Sequence, residues 1–138
     1  MGFGDVKNKT IKPVPPELNR ISHEIIDSAY KIHTHFGPGL MESVYELFLV
    51  HELENRGLVV RRQVAFDLEM DGFKIDAGLR LDLLVGSEVI VELKAVERLL
   101  PVHQAQLLSY LKLSGKRVGL LLNFNVASLK EGIKRIVL

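Results

Sequence analysis

The sequence predicts an α/β chain of the α+β kind, with a mixed β-sheet flanked by helices in the order ααβββαβ(α)β. Three observations carry this. Apolar residues first recur every three to four positions; after Gly57 the pattern changes to alternating and continuous apolar runs; and one further helical stretch separates the last strands from the first three.

Residues 1–16 mix Gly and Lys with Pro13, Pro15 and Pro16 and show no periodicity, which predicts an extended or mobile N-terminal arm ahead of a single domain over 17–138. From Glu17, the residues Leu18, Ile21, Ile25, Ala29 and Ile32 form an amphipathic stripe, widened by Ile26 and Tyr30, that runs to Phe36. Gly37-Pro38-Gly39 stops that helix. A second helix is expected over about 41–56, with Val44, Leu47, Phe48 and Leu53 inward and Gly57 as its stop.

Strands follow over about 58–70, 73–85 and 89–96. The first pair turns at Asp71-Gly72, a strong hairpin signal, and the second near Gly86-Ser87. Pro101 suits the first turn of a helix reaching Leu113 and ending at Gly115. Residues 118–124 are almost all apolar and predict an inner strand; a short helical piece near 127–131 leads to a last strand over 133–138.

Composition excludes several function classes. Lys and Arg number 18 against 17 Asp and Glu, so the formal charge of +1 supplies no general field for nucleic acid, and any such contact needs a local patch. There is no Cys, which rules out disulfides, zinc–thiolate sites and thiol chemistry. No apolar run is long enough to span a bilayer and no signal-peptide core is evident, so the expected location is cytoplasmic, with no membrane partner.

Charges interrupt two of the predicted strands: Asp82 in the second, and Glu92 and Lys94 in the third. Charged groups are rarely buried unless paired or bound to metal. Strict alternation puts Arg80, Asp82 and Leu84 on one face and Leu79, Leu81, Leu83 and Val85 on the other. It likewise separates Ile90, Glu92, Lys94 and Val96 from Val89, Val91, Leu93 and Ala95. A loop over 86–88 pairs Val85 with Val89, which sets Asp82 opposite Glu92 and Arg80 opposite Lys94. Directly opposed residues have Cβ atoms roughly 4.5–5.5 Å apart, and like charges at that spacing need something positive between them. Two arrangements satisfy this: a solvated ladder of salt bridges among the four charges, or a hard cation such as Mg²⁺, which asks for only one or two protein carboxylates. Such a cation neutralises phosphoryl charge and orients water, with Lys94 in reach of both.

These residues resemble the PD-(D/E)XK nuclease superfamily, whose signature is an acid on one strand and a D/E-x-K tripeptide on the next, here Asp82 and Glu92-Leu93-Lys94. Gln106-Leu107-Leu108-Ser109-Tyr110 is similar to the Q-x-x-x-Y motif on the following helix, and Gly39 to Tyr45 spells GxxExxY, the string that names one family of this superfamily. The resemblance implies a restriction-endonuclease-like core and phosphodiester hydrolysis with Mg²⁺ or Mn²⁺. It implies Asp82 and Glu92 as metal ligands, Lys94 as the residue that positions or activates water, and Glu42 as the acid of the first helical region. Leu81 stands where the pattern has proline. Nucleic acid is the implied partner, DNA ahead of RNA, with a homodimer open to it. The alternative function is a catalytically inactive nucleic-acid-binding or assembly module on the same scaffold.

His103, Gln106 and Tyr110 fall at i, i+3 and i+7 and share a helix stripe suited to substrate contact; the opposite side, with Ala105, Leu108 and Leu111, is expected to be core. Glu42 lies in a first helical turn, where a carboxylate is favoured by the helix dipole in any case. Tyr45 is expected in the core. His33, His35 and His51 are expected at the surface or at helix ends. Arg61, Arg62, Lys112, Lys116 and Arg117 are candidates for phosphate contacts, against the ordinary expectation of solvated surface.

Overall fold

Helix α1 spans Pro16–Phe36 and α2 Glu42–Asn55. Strands β1 (Val60–Met70), β2 (Phe73–Val85) and β3 (Val89–Lys94) follow, then α3 (Pro101–Ser114), β4 (Val118–Asn123), a 3₁₀ turn (Leu129–Gly132) and β5 (Ile133–Val137). This computed structural model describes residues 12–138. Of the predicted arm, residues 1–11 lie outside the described residues. Arg117 donates to the carbonyls of Lys12 and Pro13 at 2.6 and 3.0 Å, pinning the approach to α1.

The predicted stripe of α1 from Leu18 to Ile32 is its buried side, with His33 beside it; of the two residues expected to widen it, Ile26 is half-buried and Tyr30 is exposed. His33 lies in the last turn of α1, the helix-end position expected of it, but is buried there, with its Nε2 2.7 Å from the Val126 carbonyl. Arg56, just past α2, ties the two helices together by bonding Glu24, Asp27 and Glu52.

Helix α2 also departs from expectation. Its buried residues are Tyr45, Glu46, Leu49 and Leu53, whereas Leu47 and Phe48 are 53% and 41% exposed and Val44 is half-buried. Residues 44–50 are apolar except Glu46, so no single stripe stands out in the sequence. Packing decides the orientation instead: Tyr45 stacks on Phe124 with ring centroids 4.5 Å apart.

The five strands lie in the spatial order β1-β2-β3-β4-β5, antiparallel except for the parallel β3–β4 pair. That pair needs a crossover, and α3 supplies it. Helices α1 and α2 cover one face, packing on Leu83, Val91, Leu93 and Leu120; α3 covers the other, where Leu107 and Leu111 meet Leu81, Leu84, Ile90 and Leu121. The inward side of α3 therefore keeps Leu111 but is centred on Leu107, with Leu108 half-buried and Ala105 exposed. Gly119 makes this approach close: a Cβ there would stand 2.8 Å from Leu107 Cδ1.

Strands β3 and β4 are buried on both faces along nearly their whole length, as continuous apolar runs require. The two predicted turns form as expected, pairing Met70 with Phe73 and Val85 with Val89. No helix among the described residues is long and apolar enough to cross a membrane.

Candidate active site

The expected β2–β3 register holds for Val85↔Val89, Leu84↔Ile90 and Leu83↔Val91, and there the ladder ends. At the next step side chains replace it. The Asp82 N–H donates to Glu92 Oε2 at 2.8 Å, and the Leu93 N–H donates to Asp82 Oδ2 at 2.9 Å. Each carboxylate thus satisfies a backbone donor on the neighbouring strand. Each bond offsets part of the cost of holding two acids side by side.

A slip in strand phase produces this arrangement. Arg62 pairs with Leu83 and Val64 with Leu81, but Gln63 and Asp82 between them do not pair, and Gln63 has φ 50°. Across that point β2 exchanges faces: Leu79 and Leu81 pack with α3, while Leu83 and Val85 pack with α1 and α2. The expectation that these four share a face is therefore corrected, as is the pairing of Arg80 with Lys94, because the ladder has already ended. Strand β3 keeps strict alternation. With Val89, Val91 and Leu93 on the α1/α2 side, Glu92 and Lys94 fall on the side of α3.

The electrostatics bring in two more elements. Burial, reinforced by the Asp82 charge, pushes the Glu92 carboxyl up to about 8. Glu42, in the first turn of α2, is raised by partial burial of its carboxylate and then by Asp82, with Lys94 and the Ala95 backbone drawing it back. Tyr110 is raised by burial and then by Glu92 and Asp82, and the Gln106 side chain opposes this. Glu42, Asp82, Glu92, Lys94 and Tyr110 therefore share one electrostatic environment. His103 and Gln106 line, with Lys94, Val102, Ala105 and Ser109, an adjoining depression of about 570 Å³. His103 Nδ1 also accepts the Leu100 N–H at 3.0 Å, capping α3. All seven candidate residues thus lie at one end of the sheet.

Among the described residues no ion pair joins Arg80, Asp82, Glu92 or Lys94, so the salt-bridge ladder does not form. No group of three or more His, Asp or Glu side chains among the described residues is placed to hold a metal ion. What is present is an all-oxygen pair of acids with a third acid nearby, a donor set that fits a hard cation retaining its own waters.

Tyr45 is in the core as expected. Its hydroxyl donates to the Gly37 carbonyl at 2.6 Å and accepts the Leu40 N–H at 3.1 Å, fixing the loop that launches Glu42. Two of the basic residues considered for phosphate contact are otherwise engaged: Arg62 bonds Glu46, and Arg117 bonds the carbonyls of Lys12, Pro13 and Leu138.

Sequence reasoning missed two features. Asn123, at the end of β4, bonds both backbone groups of Val96 and so holds the chain leaving Lys94. Glu46 is buried and accepts from Arg62 Nε and Nη2 at 3.0 and 2.8 Å and from Gln63 Nε2 at 3.0 Å. Its spacing of four from Glu42 was the available signal. Nothing in the sequence of β1 marks Gln63 for a left-handed conformation.

A family model described as the PD-(D/E)XK nuclease superfamily matches residues 19–136. No curated protein and no solved structure matches the chain.

Proposed function

The chain belongs to the PD-(D/E)XK nuclease superfamily, and from that premise we propose that it hydrolyses phosphodiester bonds in nucleic acid, with Mg²⁺ or Mn²⁺ held by Asp82 and Glu92. The observation that carries this reading is the reciprocal capping of Asp82 and Glu92 on adjacent strands, with Lys94 two residues on in β3 and Glu42 close enough to feel the charges of Asp82 and Lys94. The match covers nearly the whole described chain and supports a nuclease in general terms. The finer placement in the GxxExxY family rests on Gly39, Glu42 and Tyr45, and the loop-fixing bonds of Tyr45 give that string a structural purpose.

Each side chain has a task. Asp82 and Glu92 present oxygen ligands already oriented by backbone donors, which lowers the cost of ordering them on binding. When bound, the cation supplies Lewis-acid stabilisation of phosphoryl charge and favours ionisation of water. Lys94 orients the attacking water and sets positive charge against the oxygen that gains charge in the transition state. Glu42 contributes the third acid at the rim. Tyr110 and Gln106 donate to phosphate oxygens, and His103, with Nδ1 committed to its cap, offers Nε2 to substrate.

The test is incubation with single- and double-stranded DNA and RNA, each with Mg²⁺ or Mn²⁺. Metal-dependent cleavage that disappears in Asp82→Ala and Lys94→Ala is expected. Binding without turnover under all these conditions would instead assign the non-catalytic alternative.

A further inference from the structure

We propose that Glu46, through Arg62 and Gln63, is a positioning residue that sets where the Asp82 carboxylate stands relative to Glu92 and Glu42. Glu46 is one helical turn after Glu42 on α2, so the two carboxylates project along the same side of that helix. Its three acceptor bonds go to consecutive residues of β1, two from Arg62 and one from Gln63. Those residues lie at the phase slip. Arg62 pairs with Leu83, Val64 pairs with Leu81, and the unpaired Gln63 stands across from the unpaired Asp82.

The left-handed conformation of Gln63 is unfavourable for a residue with a Cβ and persists only where its surroundings hold it. Gln63 is exposed, so apolar packing is not what holds it. Its side-chain amide on Glu46 is the restraint. The clamp joins the helix that carries Glu42 to the irregularity that turns Asp82 out of the ladder. With it in place, Asp82 Oδ2 reaches the Leu93 N–H and the Asp82 N–H reaches Glu92. Without it, Gln63 can return to extended backbone, and regular alternation would carry Asp82 away from this position. The role rests on the nuclease reading only where it reaches metal affinity, since supporting residues around metal ligands typically alter affinity 10- to 100-fold.

Two readouts on the full-length protein test this: backbone amide exchange by NMR and Mn²⁺ titration calorimetry. Glu46→Gln weakens the clamp while keeping its shape, and Gln63→Ala removes one arm at an exposed position. Both are expected to speed exchange of the Leu93 amide about tenfold relative to Val91 on the same strand, and to weaken Mn²⁺ binding about tenfold. Leu53→Ala, in the α2 core away from the clamp, serves as the control. It should lower the melting temperature while leaving the Leu93-to-Val91 ratio at the wild-type value. An unchanged ratio in both clamp variants, or an equal change in Leu53→Ala, overturns the role. A changed ratio in the clamp variants of a protein whose wild type takes up no Mn²⁺ would uphold the positioning role and refute the metal reading instead.

Discussion

The β1–β2 hairpin departs from regular pairing twice, and the two departures have opposite settings. At Gln63 and Asp82 the ladder misses a pair, Gln63 has φ 50°, and the neighbouring Glu46 is buried with three donors on it. Farther out the register shifts between Phe66 and Leu68, Ala77 has φ 51°, and the polar side-chain support is exposed: Asp67 accepts the Ala77 N–H at 2.9 Å and lies 3.5 Å from Lys74. Residues 73–78 are all exposed. The same backbone irregularity bends a solvated hairpin at one place and builds an acidic cluster at the other. The difference comes from what is packed against it. Helix α2 reaches the inner irregularity and tethers it with buried hydrogen bonds, while at the outer one Phe66 and Leu68 pack against the α3-side core and no buried polar clamp is present among the described residues.

The largest contrast between them should appear in turnover. Asp82→Ala and Lys94→Ala are each expected to lower metal-dependent cleavage by about 10³-fold, the scale of losing a positioned catalytic group. Asp67→Ala should leave cleavage at the wild-type rate under the same assay. Loss of activity in Asp67→Ala would mean that the outer irregularity is also part of the site.

Next in size is the pH dependence of stability without metal. Glu92 and Glu42 are both raised in the folded protein. Between the ordinary carboxyl range and about 8 the folded state therefore binds more protons than the unfolded state, and stability falls as pH rises through that window. Melting temperatures measured in chelator from about pH 5 to 8 should decline, and Glu92→Gln should flatten most of the slope. A rising trend would contradict the burial and charge assigned to this pair.

Smaller effects distinguish the two left-handed residues directly. Ala77→Gly should stabilise by up to about 1 kcal/mol, because the strain is relieved and no contact is lost. Gln63→Gly relieves the same strain but cuts the bond to Glu46, so it should gain less than Ala77→Gly or lose stability, by about 1 kcal/mol in difference. Denaturant midpoints with equal slopes would measure both. Last comes Asp67→Ala, expected to lower the denaturant midpoint only slightly, since the bond it loses to the Ala77 N–H is exposed.

Much of this architecture is legible in the sequence. The α1 stripe, the Asp71-Gly72 turn and the continuous apolar run of β4 each have one physical solution, and each formed as predicted. The register that sets Asp82 near Glu92 followed from the loop over 86–88. What could not be read depended on choices made by packing. Leu47 and Phe48 were as apolar as Leu49, and only the docking of Tyr45 on Phe124 decided which of them faced the sheet. Regular alternation along β2 breaks at Asp82 because the opposing strand carries the left-handed Gln63, a residue with no turn signal. In the site itself, the motif residues were visible as charges in apolar strands, whereas their support was not, since Glu46 and Gln63 are ordinary residues for a helix and a strand.

The bonds from Arg135 in β5 to Asn19 and Ser22 in α1 span 116 and 113 residues of chain. The hairpin and its turn to β3, by contrast, join residues close in sequence. Closing long loops slows folding more than it weakens the final structure. The meander that carries Asp82 and Glu92 is therefore expected to assemble in the rate-limiting step, with α1 docking on β4 and β5 after it. In refolding kinetics, Ile25→Val would then mainly speed unfolding, and Leu83→Ala would slow folding itself.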